Sequence, residues 1–374
     1  MELKKVGDFL TESKISGEDD IHKRLTVKLN LKGIYPRDTN AIEKEGATKQ
    51  FIRKSGQFIY GKQNLFKGAF GIIPKHLDGY LSSSDIPSFD FNDKINSKWF
   101  FYYFSRKNFY QKLENLSTGT GSKRVSPKDF LKIMLYIPPL DEQEKIADFL
   151  YLVDKKIELM EKKCKLLENY KNGVMNLIFR KKVFFEDSNS WKLKKIKEIG
   201  TISTGNTPST KNKEFYHPEI YLWVTPSDIT KSKYINNTAR KLSIEGSKKG
   251  KFVEKNSVLV TCIASIGKNC IIPVKGYFNQ QINSITPNKE NNSDFIYYLI
   301  SFNAEKMKQY AGLTATPILN KKDFENMYFE FPPLKEQNKI ADFLSKIDNK
   351  IDSIEQQLEK TKEFKKYLLQ QMFV

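Results

Sequence analysis

Cysteine and histidine are both scarce in this chain of 374 residues, with three of each. Cys164 stands alone, Cys262 and Cys270 are eight residues apart, and all three histidines lie far from them in the sequence. A zinc site needs ligands at short, regular spacings, and a disulfide framework needs several cysteines in a small domain. The sequence therefore predicts neither a metal site nor a disulfide framework.

Long apolar runs are also missing. No window approaches 18 consecutive apolar residues, and the opening Met-Glu-Leu-Lys-Lys lacks the apolar region of a secretory signal. We therefore expect neither a membrane span nor secretion, and we predict that the chain is cytoplasmic.

Motifs for catalysis are absent as well. Gly267-Lys268 has no glycine five residues before Gly267, which a Walker A loop requires. A methyltransferase holds a flipped adenine with a polar-Pro-Pro-aromatic loop, whereas Pro138-Pro139 and Pro332-Pro333 each follow an apolar residue and precede leucine. The dispersed histidines form no catalytic triad. We therefore predict a binding protein with no catalytic residues and no cofactor.

What the chain does contain is one segment that occurs twice. Residues 138–179 begin P-P-L-D-E-Q-E-K-I-A-D-F-L, and residues 332–373 begin P-P-L-K-E-Q-N-K-I-A-D-F-L. The two copies are 194 residues apart and share 17 identical positions without a gap. Proline is tolerated in the first turn of a helix, and each copy continues as one long amphipathic pattern. The repeat predicts the order domain, helix, domain, helix, with boundaries at 1–137, 138–182, 183–331 and 332–374.

Apolar residues recur every seven positions in both copies of this segment. Such heptads, with charged residues on the other faces, predict a coiled-coil seam. We expect the two helices of one chain to pair as an antiparallel coiled coil, with the two halves of the chain related by a pseudo-twofold axis. A coiled coil between two chains is the alternative. The residues predicted for helix pairing or partner docking are Ile146, Leu150, Val153 and Ile157 in the first helix, and Ile340, Leu344, Ile347 and Ile351 in the second.

Positive charge is concentrated outside the two helices. The net charge is +19, from 63 basic and 44 acidic side chains. Residues 142–179 and 336–373 each carry seven basic and seven acidic residues, whereas residues 1–141 carry 24 and 16, and residues 180–335 carry 25 and 14. Two basic domains joined by neutral helices indicate a polyanion binder. The alternative is the general lysine richness of proteins from AT-rich genomes.

The two globular segments have similar frames and different interiors. Short β-branched runs come first in each, and helical stretches at 97–116 and 293–310 follow. We predict that each domain is α+β, and that the pair reads two different targets with one fold. The shared frame comprises Leu3-Lys-Lys-Val6 and Leu193-Lys-Lys-Ile196 at the start, and Gly119-Thr-Gly121 before Lys128-Asp-Phe130 and Gly312-Leu-Thr314 before Lys322-Asp-Phe324 near the end.

These motifs resemble the specificity subunit of a Type I restriction–modification system, and the resemblance covers essentially the whole chain. It implies two target-recognition domains, each reading one half of a split, asymmetric site in double-stranded DNA. It also implies two helices that set the distance between the halves, and partners that are two adenine methyltransferase subunits and a translocating nuclease subunit. The resemblance rests on the doubled helix segment, the glycine loop before Lys-Asp-Phe, Trp223-Val-Thr-Pro-Ser-Asp-Ile229, Ala264-Ser-Ile-Gly-Lys268 and Phe278-Asn-Gln-Gln-Ile-Asn-Ser284.

Polar and basic loop residues are the candidates for DNA contacts. Arginine and lysine suit guanine or phosphate, and asparagine and glutamine suit adenine. In the first domain such residues are interleaved with aromatics and glycines, and in the second domain the resemblance points to the segments. The predicted DNA-binding residues are Arg53, Lys54, Lys62, Gln63, Asn64, Lys67, Lys123 and Arg124 in the first domain, and Thr225, Ser227, Asp228, Lys268, Asn279, Gln280 and Gln281 in the second.

Two other functions fit the same sequence. One is a coiled-coil scaffold that binds nucleic acid without sequence preference, and the other is a repressor-like protein that acts without a methyltransferase. Salt dependence does not separate the three, because all would show it. A specificity ratio between DNA sequences, and dependence on a co-expressed methyltransferase, would separate them.

Overall fold

The computed structural model describes residues 2–38, 48–118, 122–186, 191–311 and 317–373. The glycine loops at 119–121 and 312–314 lie outside these residues. The chain forms two compact units, Met1–Lys162 with Glu355–Val374, and Lys163–Ile354. Each unit contains one globular α+β part and one half of each long helix, which confirms the predicted fold class.

The first unit is built around a four-stranded antiparallel sheet with the order β2-β10-β7-β8. A β1–β11 ladder, a β3-β6-β9 sheet and a β4–β5 ladder complete it. Its strands are β1 Glu2–Lys5, β2 Leu10–Ser13, β3 Ser16–Gly17, β4 Leu25–Val27, β5 Ile34–Pro36, β6 Gln50–Arg53, β7 Phe58–Tyr60, β8 Phe70–Ile72, β9 Tyr80–Ser83, β10 Ser88–Phe91 and β11 Met134–Ile137, and its helices are α1 Ser97–Ser105, α2 Lys107–Lys112, α3 Pro127–Phe130 and the first part of α4 Leu140–Phe179.

The second unit repeats this frame. The sheet β13-β20-β17-β18 corresponds to the central sheet of the first unit, and the β12–β21 ladder corresponds to β1–β11. A further sheet has the order β15-β14-β19-β16. The strands are β12 Lys192–Lys195, β13 Gly200–Thr204, β14 Tyr221–Val224, β15 Lys241–Leu242, β16 Phe252–Val253, β17 Ser257–Thr261, β18 Asn269–Ile272, β19 Gly276–Phe278, β20 Ile282–Pro287 and β21 Tyr328–Phe331, and the helices are α5 Ile196–Ile199, α6 Ile244–Lys249, α7 Ser293–Phe302, α8 Ala304–Tyr310, α9 Lys321–Asn326 and the first part of α10 Leu334–Gln371.

The repeated Lys-Asp-Phe motif forms the same short helix in both units. Ser126 caps α3 by accepting a hydrogen bond from the backbone N–H of Asp129, and Asn320 caps α9 in the same way. The phenylalanine that follows, Phe130 or Phe324, is fully buried. The motif therefore starts a helical turn and anchors it in the core just before β11 or β21.

The glutamine of the doubled segment joins each long helix to its own globular part. Gln143 donates to the carbonyl of Pro138 and accepts from the backbone N–H of Asn96, which also caps α1. Gln337 makes the same two bonds, with Pro332 and with the N-cap of α7. Because buried amide groups need hydrogen-bond partners, this side chain determines where α4 and α10 leave their domains.

The two long helices run antiparallel within each unit. In the first unit Asp154 and Glu161 of α4 form ion pairs with Lys365 and Lys362 of α10, respectively. The residue number of the partner on α10 therefore decreases as the residue number on α4 increases. In the second unit Lys171 of α4 binds an aspartate near the middle of α10 at 2.6 Å. The predicted antiparallel pairing is confirmed.

A polar triad of tyrosine, aspartate and lysine sits in this pairing once in each unit. In the first unit the hydroxyl of Tyr102 on α1 donates to Asp154 at 2.9 Å, and the ammonium of Lys365 lies 2.5 Å from the same carboxylate. The second unit has the same arrangement in Tyr298 on α7, Asp348 and Lys171, with both distances 2.6 Å. Asp348 and Lys171 are 194 residues from Asp154 and Lys365, and Tyr298 is 196 residues from Tyr102. Each triad therefore joins three helices, two of the seam and one of the domain.

Candidate nucleic-acid interface

The connection between β7 and β8 carries four of the predicted contact residues. Gln63 and Lys67 are exposed, whereas Lys62 and Asn64 are partly buried. The backbone of Lys62 is fixed by hydrogen bonds to Asp85 and Val125. A 3-10 turn follows and ends at Gly68, whose positive φ of 74° suits glycine. The loop therefore has a defined shape that holds polar side chains at the surface.

Arg53 lies inside the first unit and not at its surface. It is 1% exposed, and its guanidinium donates to the hydroxyls of Ser82 and Ser88 and to the carbonyls of Ser13 and Ile86. Burial lowers its pKa to about 10. All of these bonds are internal, so the geometry gives Arg53 the task of joining strands and disfavours its predicted contact with DNA.

The other predicted basic residues of the first unit are at the surface. Lys54 is exposed in the turn between β6 and β7. Lys123 pairs with Glu114 at 2.7 Å, and Arg124 pairs with Asp85 at 3.2 Å. Exposed ion pairs of this kind hold their cations weakly, so both cations remain available to a polyanion.

A cleft of about 360 Å³ in the first unit brings Lys62 close to basic residues that the prediction did not include. Lys14 and Lys128 line it together with Lys62, and Arg53 lies at its base. Lys128 belongs to the repeated Lys-Asp-Phe motif, so a signal for it was present in the sequence. Lys14 carries no such signal, because its approach to the cleft depends on the pairing of β2 with β10.

In the second unit one cleft gathers five of the seven predicted residues. It has a volume of about 490 Å³. Its polar lining offers hydroxyl, amide and carboxylate groups beside the guanidinium of Arg240, a residue that the prediction did not include. Such a mixture suits both base edges and phosphates. The five predicted residues in its lining are Thr225, Ser227, Asp228, Asn279 and Gln281.

Internal hydrogen bonds hold the shape of this cleft. Asp228 accepts from the backbone N–H and the hydroxyl of Thr225, at 2.8 and 2.6 Å, and from the backbone N–H of Ala239. Asn279 and Gln281 bond to each other through two contacts of 3.1 Å. With three bonds to the protein, the Asp228 carboxylate shapes the loop from 225 to 228.

The remaining two predicted residues of the second unit lie outside that lining. Gln280 is exposed and accepts a hydrogen bond from the hydroxyl of Thr207 at 2.5 Å. Lys268 is exposed in the connection between β17 and β18, which is the counterpart of the β7–β8 connection in the first unit. The DNA contacts of all fifteen residues stay predictions.

The predicted seam residues pack into the unit cores as well as against the other helix. Ile146 and Leu150 share one core cluster with aromatics of α1 and with Phe373, while Val153 is buried and Ile157 half-buried. In the second unit the four seam residues of α10 are all buried with side chains of α4, α7 and β18. Those four are Ile340, Leu344, Ile347 and Ile351.

Potential metal ligands are scattered, and the cysteines are buried, in the described part of the chain. No group of three or more His, Cys, Asp or Glu side chains there could hold a metal ion. Cys262 and Cys270 are buried and free, and burial raises the pKa of each thiol to about 12. Among the described helices none is long and apolar enough to cross a membrane.

Comparison with known proteins covers both halves of the chain. A family model described as Type I restriction modification DNA specificity domain matches residues 2–169 and 188–363. The Type I restriction enzyme HindI specificity subunit of Haemophilus influenzae is 23% identical over 87% of this chain and 88% of that protein. The MjaVIII specificity subunit of Methanocaldococcus jannaschii is 25% identical over 98% of this chain and 91% of that protein.

Solved structures show the same fold. The Type I restriction–modification S subunit from M. genitalium has a TM-score of 0.65 at 12% identity, and the alignment covers 100% of this chain and 96% of that one. A second Type I restriction–modification structure has a TM-score of 0.62 at 14% identity, covering 100% and 97%. With the family model matched twice along its length, the chain belongs to the family of Type I restriction–modification specificity subunits.

Proposed function

We propose that this chain reads a bipartite, asymmetric site in double-stranded DNA and directs partner subunits to it, without catalysing a reaction itself. The observation that carries the proposal is one frame built twice with different polar loops at the same place. The β7–β8 connection offers Lys62, Gln63 and Lys67, whereas the β17–β18 connection offers Lys268. Reading two different half-sites requires two domains with the same backbone fold and different side chains at the DNA-contacting loops.

In this proposal the exposed side chains divide into base-reading and phosphate-binding groups. Gln63 has an exposed amide that suits adenine, and Arg240 has a guanidinium that suits guanine or phosphate. Asn279 is buried and bonded to Gln281, so this pair shapes the cleft that would receive a base. The remaining exposed lysines and Arg124 add positive charge that positions the duplex. Arg53 is omitted from this set because its guanidinium is used inside the protein.

The two neutral helices serve as spacer and as docking face. Residues 1–137 and 183–331 are proposed as the target-recognition domains, and 138–182 and 332–374 as the helical segments between them. In the first unit α4 exposes Leu152 and Leu159, one heptad apart, at 64% and 63%. Exposed leucines on one face of a helix suit docking of a partner helix.

The partners follow from the family and from this surface. Two adenine methyltransferase subunits, one for each half of the pseudo-symmetric chain, and a translocating nuclease subunit complete the proposed complex, and its substrate places it in the cytoplasm. A scaffold without sequence preference leaves the two different polar clefts unexplained, and a repressor without partners leaves the exposed leucines of α4 unexplained.

A genome-wide map of methylated adenines, in the host strain with and without this gene, tests the function. We expect the loss of one gapped, two-part motif when the gene is deleted, and its return on complementation. If every methylated motif remains while the neighbouring methyltransferase is expressed, the proposed function is wrong.

A further inference from the structure

A surface that occurs in both units is covered in the second. The carboxylate of Glu336, in the first turn of α10, is fully buried. It accepts hydrogen bonds from the backbone N–H of Phe185 at 3.3 Å and from the indole N–H of Trp191 at 3.2 Å. The ring of Phe185 packs on Phe343 with 5.7 Å between centroids. The chain segment before β12 therefore covers this surface with an aromatic ring and two N–H donors.

The same surface of the first unit is exposed. Glu142 and Phe149 occupy the positions of Glu336 and Phe343 in the doubled segment, 194 residues earlier. Glu142 is exposed, and no described residue donates a hydrogen bond to its carboxylate. Phe149 is 42% exposed. We call Glu142, Phe149 and the neighbouring Tyr136, which is 58% exposed, the uncovered site.

The backbone around the two surfaces is the same. Tyr136 on β11 pairs with Leu3 on β1, as Glu330 on β21 pairs with Leu193 on β12. Both helices start directly after Pro-Pro and are held by the same glutamine contacts. The uncovered site therefore presents its acid and its ring in the arrangement that the second unit uses to bind Phe185 and Trp191.

We propose that the uncovered site binds a segment of a partner subunit, which places an aromatic ring on Phe149 and donates N–H groups to Glu142. Phe149 and Tyr136 are exposed aromatic side chains, and exposed apolar surface of this kind marks interaction sites at which aromatic rings are common anchors. The covered surface of the second unit shows the chemistry of the occupant directly. The identity of the carrier, a methyltransferase subunit, rests on the proposed function, whereas the binding chemistry does not.

The charges around the site distinguish its occupant from the segment in the second unit. There, Glu186 binds Lys335 at 3.3 Å, and Lys181 binds Glu330 at 2.6 Å. In the first unit Asp141 stands in place of Lys335, and Tyr136 in place of Glu330. Glu186 also binds Lys339, whose counterpart Lys145 already pairs with Asp141 at 3.6 Å. An acidic residue like Glu186 would therefore meet Asp141 and a lysine that is already paired, so the occupant is an aromatic segment without that acid.

Matched substitutions in the full-length chain test the proposal. Glu142→Gln and Phe149→Ala change the uncovered site, and Glu336→Gln and Phe343→Ala change its covered counterpart. For each variant the thermal unfolding midpoint and the affinity for the purified methyltransferase subunit are measured. We expect the first pair to keep the unfolding midpoint and to weaken binding about tenfold, and the second pair to lower the midpoint.

Suppose that the wild-type chain forms a complex with the methyltransferase. If Glu142→Gln and Phe149→Ala then both bind the methyltransferase with unchanged affinity, the inference is overturned and the proposed function remains intact. If the wild-type chain forms no complex with the methyltransferase, the proposed function fails, and a synthetic peptide with the sequence of residues 180–192 and the substitution Glu186→Gln decides the inference. Saturable binding of that peptide, weakened in Phe149→Ala, supports it. Absence of such binding, or dimerisation of the chain through this surface, overturns it.

Discussion

A buried arginine and an exposed lysine, adjacent in the sequence, have opposite tasks in the first unit. Arg53 ends β6 and hydrogen-bonds to serine hydroxyls and carbonyls of the strands around it, whereas Lys54 points into the solvent. A desolvated guanidinium is tolerated only when its donors are satisfied, and burial lowers the pKa of Arg53 to about 10. Two adjacent basic residues therefore serve different purposes, one in the fold and one in the proposed binding function.

Replacing the two residues separates these tasks. We expect Arg53→Met to lower the free energy of unfolding by roughly 2–4 kcal/mol, because it leaves buried carbonyls and hydroxyls without donors. Lys54→Met should change that free energy by less than about 0.5 kcal/mol and weaken DNA binding. Urea unfolding and DNA titration at several salt concentrations measure the two effects. Equal stability of both variants would contradict the assignment of Arg53.

The buried cysteines predict a pH effect. The thiols of Cys262 and Cys270 have pKa values raised to about 12 by burial, from a value of 9.0. Between about pH 9 and 12 the unfolded chain releases these protons and the folded chain keeps them, so the free energy of unfolding falls as pH rises through that window and is unaffected below it. Between pH 8.5 and 10 we expect the free energy of unfolding of a Cys262→Ala/Cys270→Ala variant to fall by roughly 2–3 kcal/mol less than that of wild type, as measured by urea unfolding. Parallel pH profiles would contradict the burial of these thiols.

Among the elements, the two polar triads bind the helices to their domains. Tyr102 and Tyr298 have pKa values raised first by burial and then by the neighbouring aspartate, so both hydroxyls remain donors at neutral pH. Each aspartate side chain is largely shielded, with Asp348 15% exposed. A polar group at one position of an apolar seam specifies register, because any shift leaves it without its partners.

Removing the charge from a triad should therefore cost stability. We expect Asp154→Asn or Asp348→Asn to lower the free energy of unfolding by about 1–3 kcal/mol, since each leaves a partly buried lysine without its counterion. Asp141→Asn is the matched control: its ion pair with Lys145 is exposed, and its loss should cost less than about 0.5 kcal/mol. Exchanging the charges, Asp154→Lys with Lys365→Asp, should restore part of the loss. Chemical denaturation of the full chain checks all of these values.

The elements were predictable where local pattern decides them. The β-branched run at 257–261 forms β17 Ser257–Thr261, and both long helices begin after Pro-Pro, as the doubled segment predicts. The helical stretch 97–116 is divided near Arg106, whose guanidinium turns back to the carbonyl of Phe373 from a distant part of the chain. Such long-range contacts carry no local signal, and so the break was not predicted.

The candidate site was predictable as segments and less so as side chains. Five residues that the resemblance predicts for DNA binding line one cleft of the second unit. Arg240 lines the same cleft but belongs to a segment without a motif, and so it was not predicted. Glu142 and Glu336 have the same local sequence and opposite burial, because only Glu336 meets the segment around Phe185. Burial and partner choice are set by the surrounding chain and therefore lie beyond what a motif specifies.

At the scale of the whole molecule, we propose that the length of the neutral helices sets the gap between the two half-sites in the DNA. Positive charge lies in the globular parts, while residues 142–179 and 336–373 of the two helical segments each have seven acidic and seven basic residues. A neutral helix neither attracts DNA nor repels a partner, so what it contributes to DNA recognition is distance. A change in that distance should change the gap and leave the two half-sites as they are.

Deleting residues 156–162 together with 357–363 tests this directly. The paired deletion removes one heptad from each antiparallel helix, is neutral in charge, and keeps both triads in register. Seven helical residues span about 10 Å, and DNA rises about 3.4 Å per base pair, so we expect the tolerated gap to shorten by roughly three base pairs. Because a heptad turns the helix by only about 20° less than two full turns, the domains should keep their facing. Mapping of methylated adenines measures the gap between the two half-sites. Deletion from α4 alone is the control, and it should abolish methylation. An unchanged gap in a folded variant that still supports methylation would show that the helices do not set the gap.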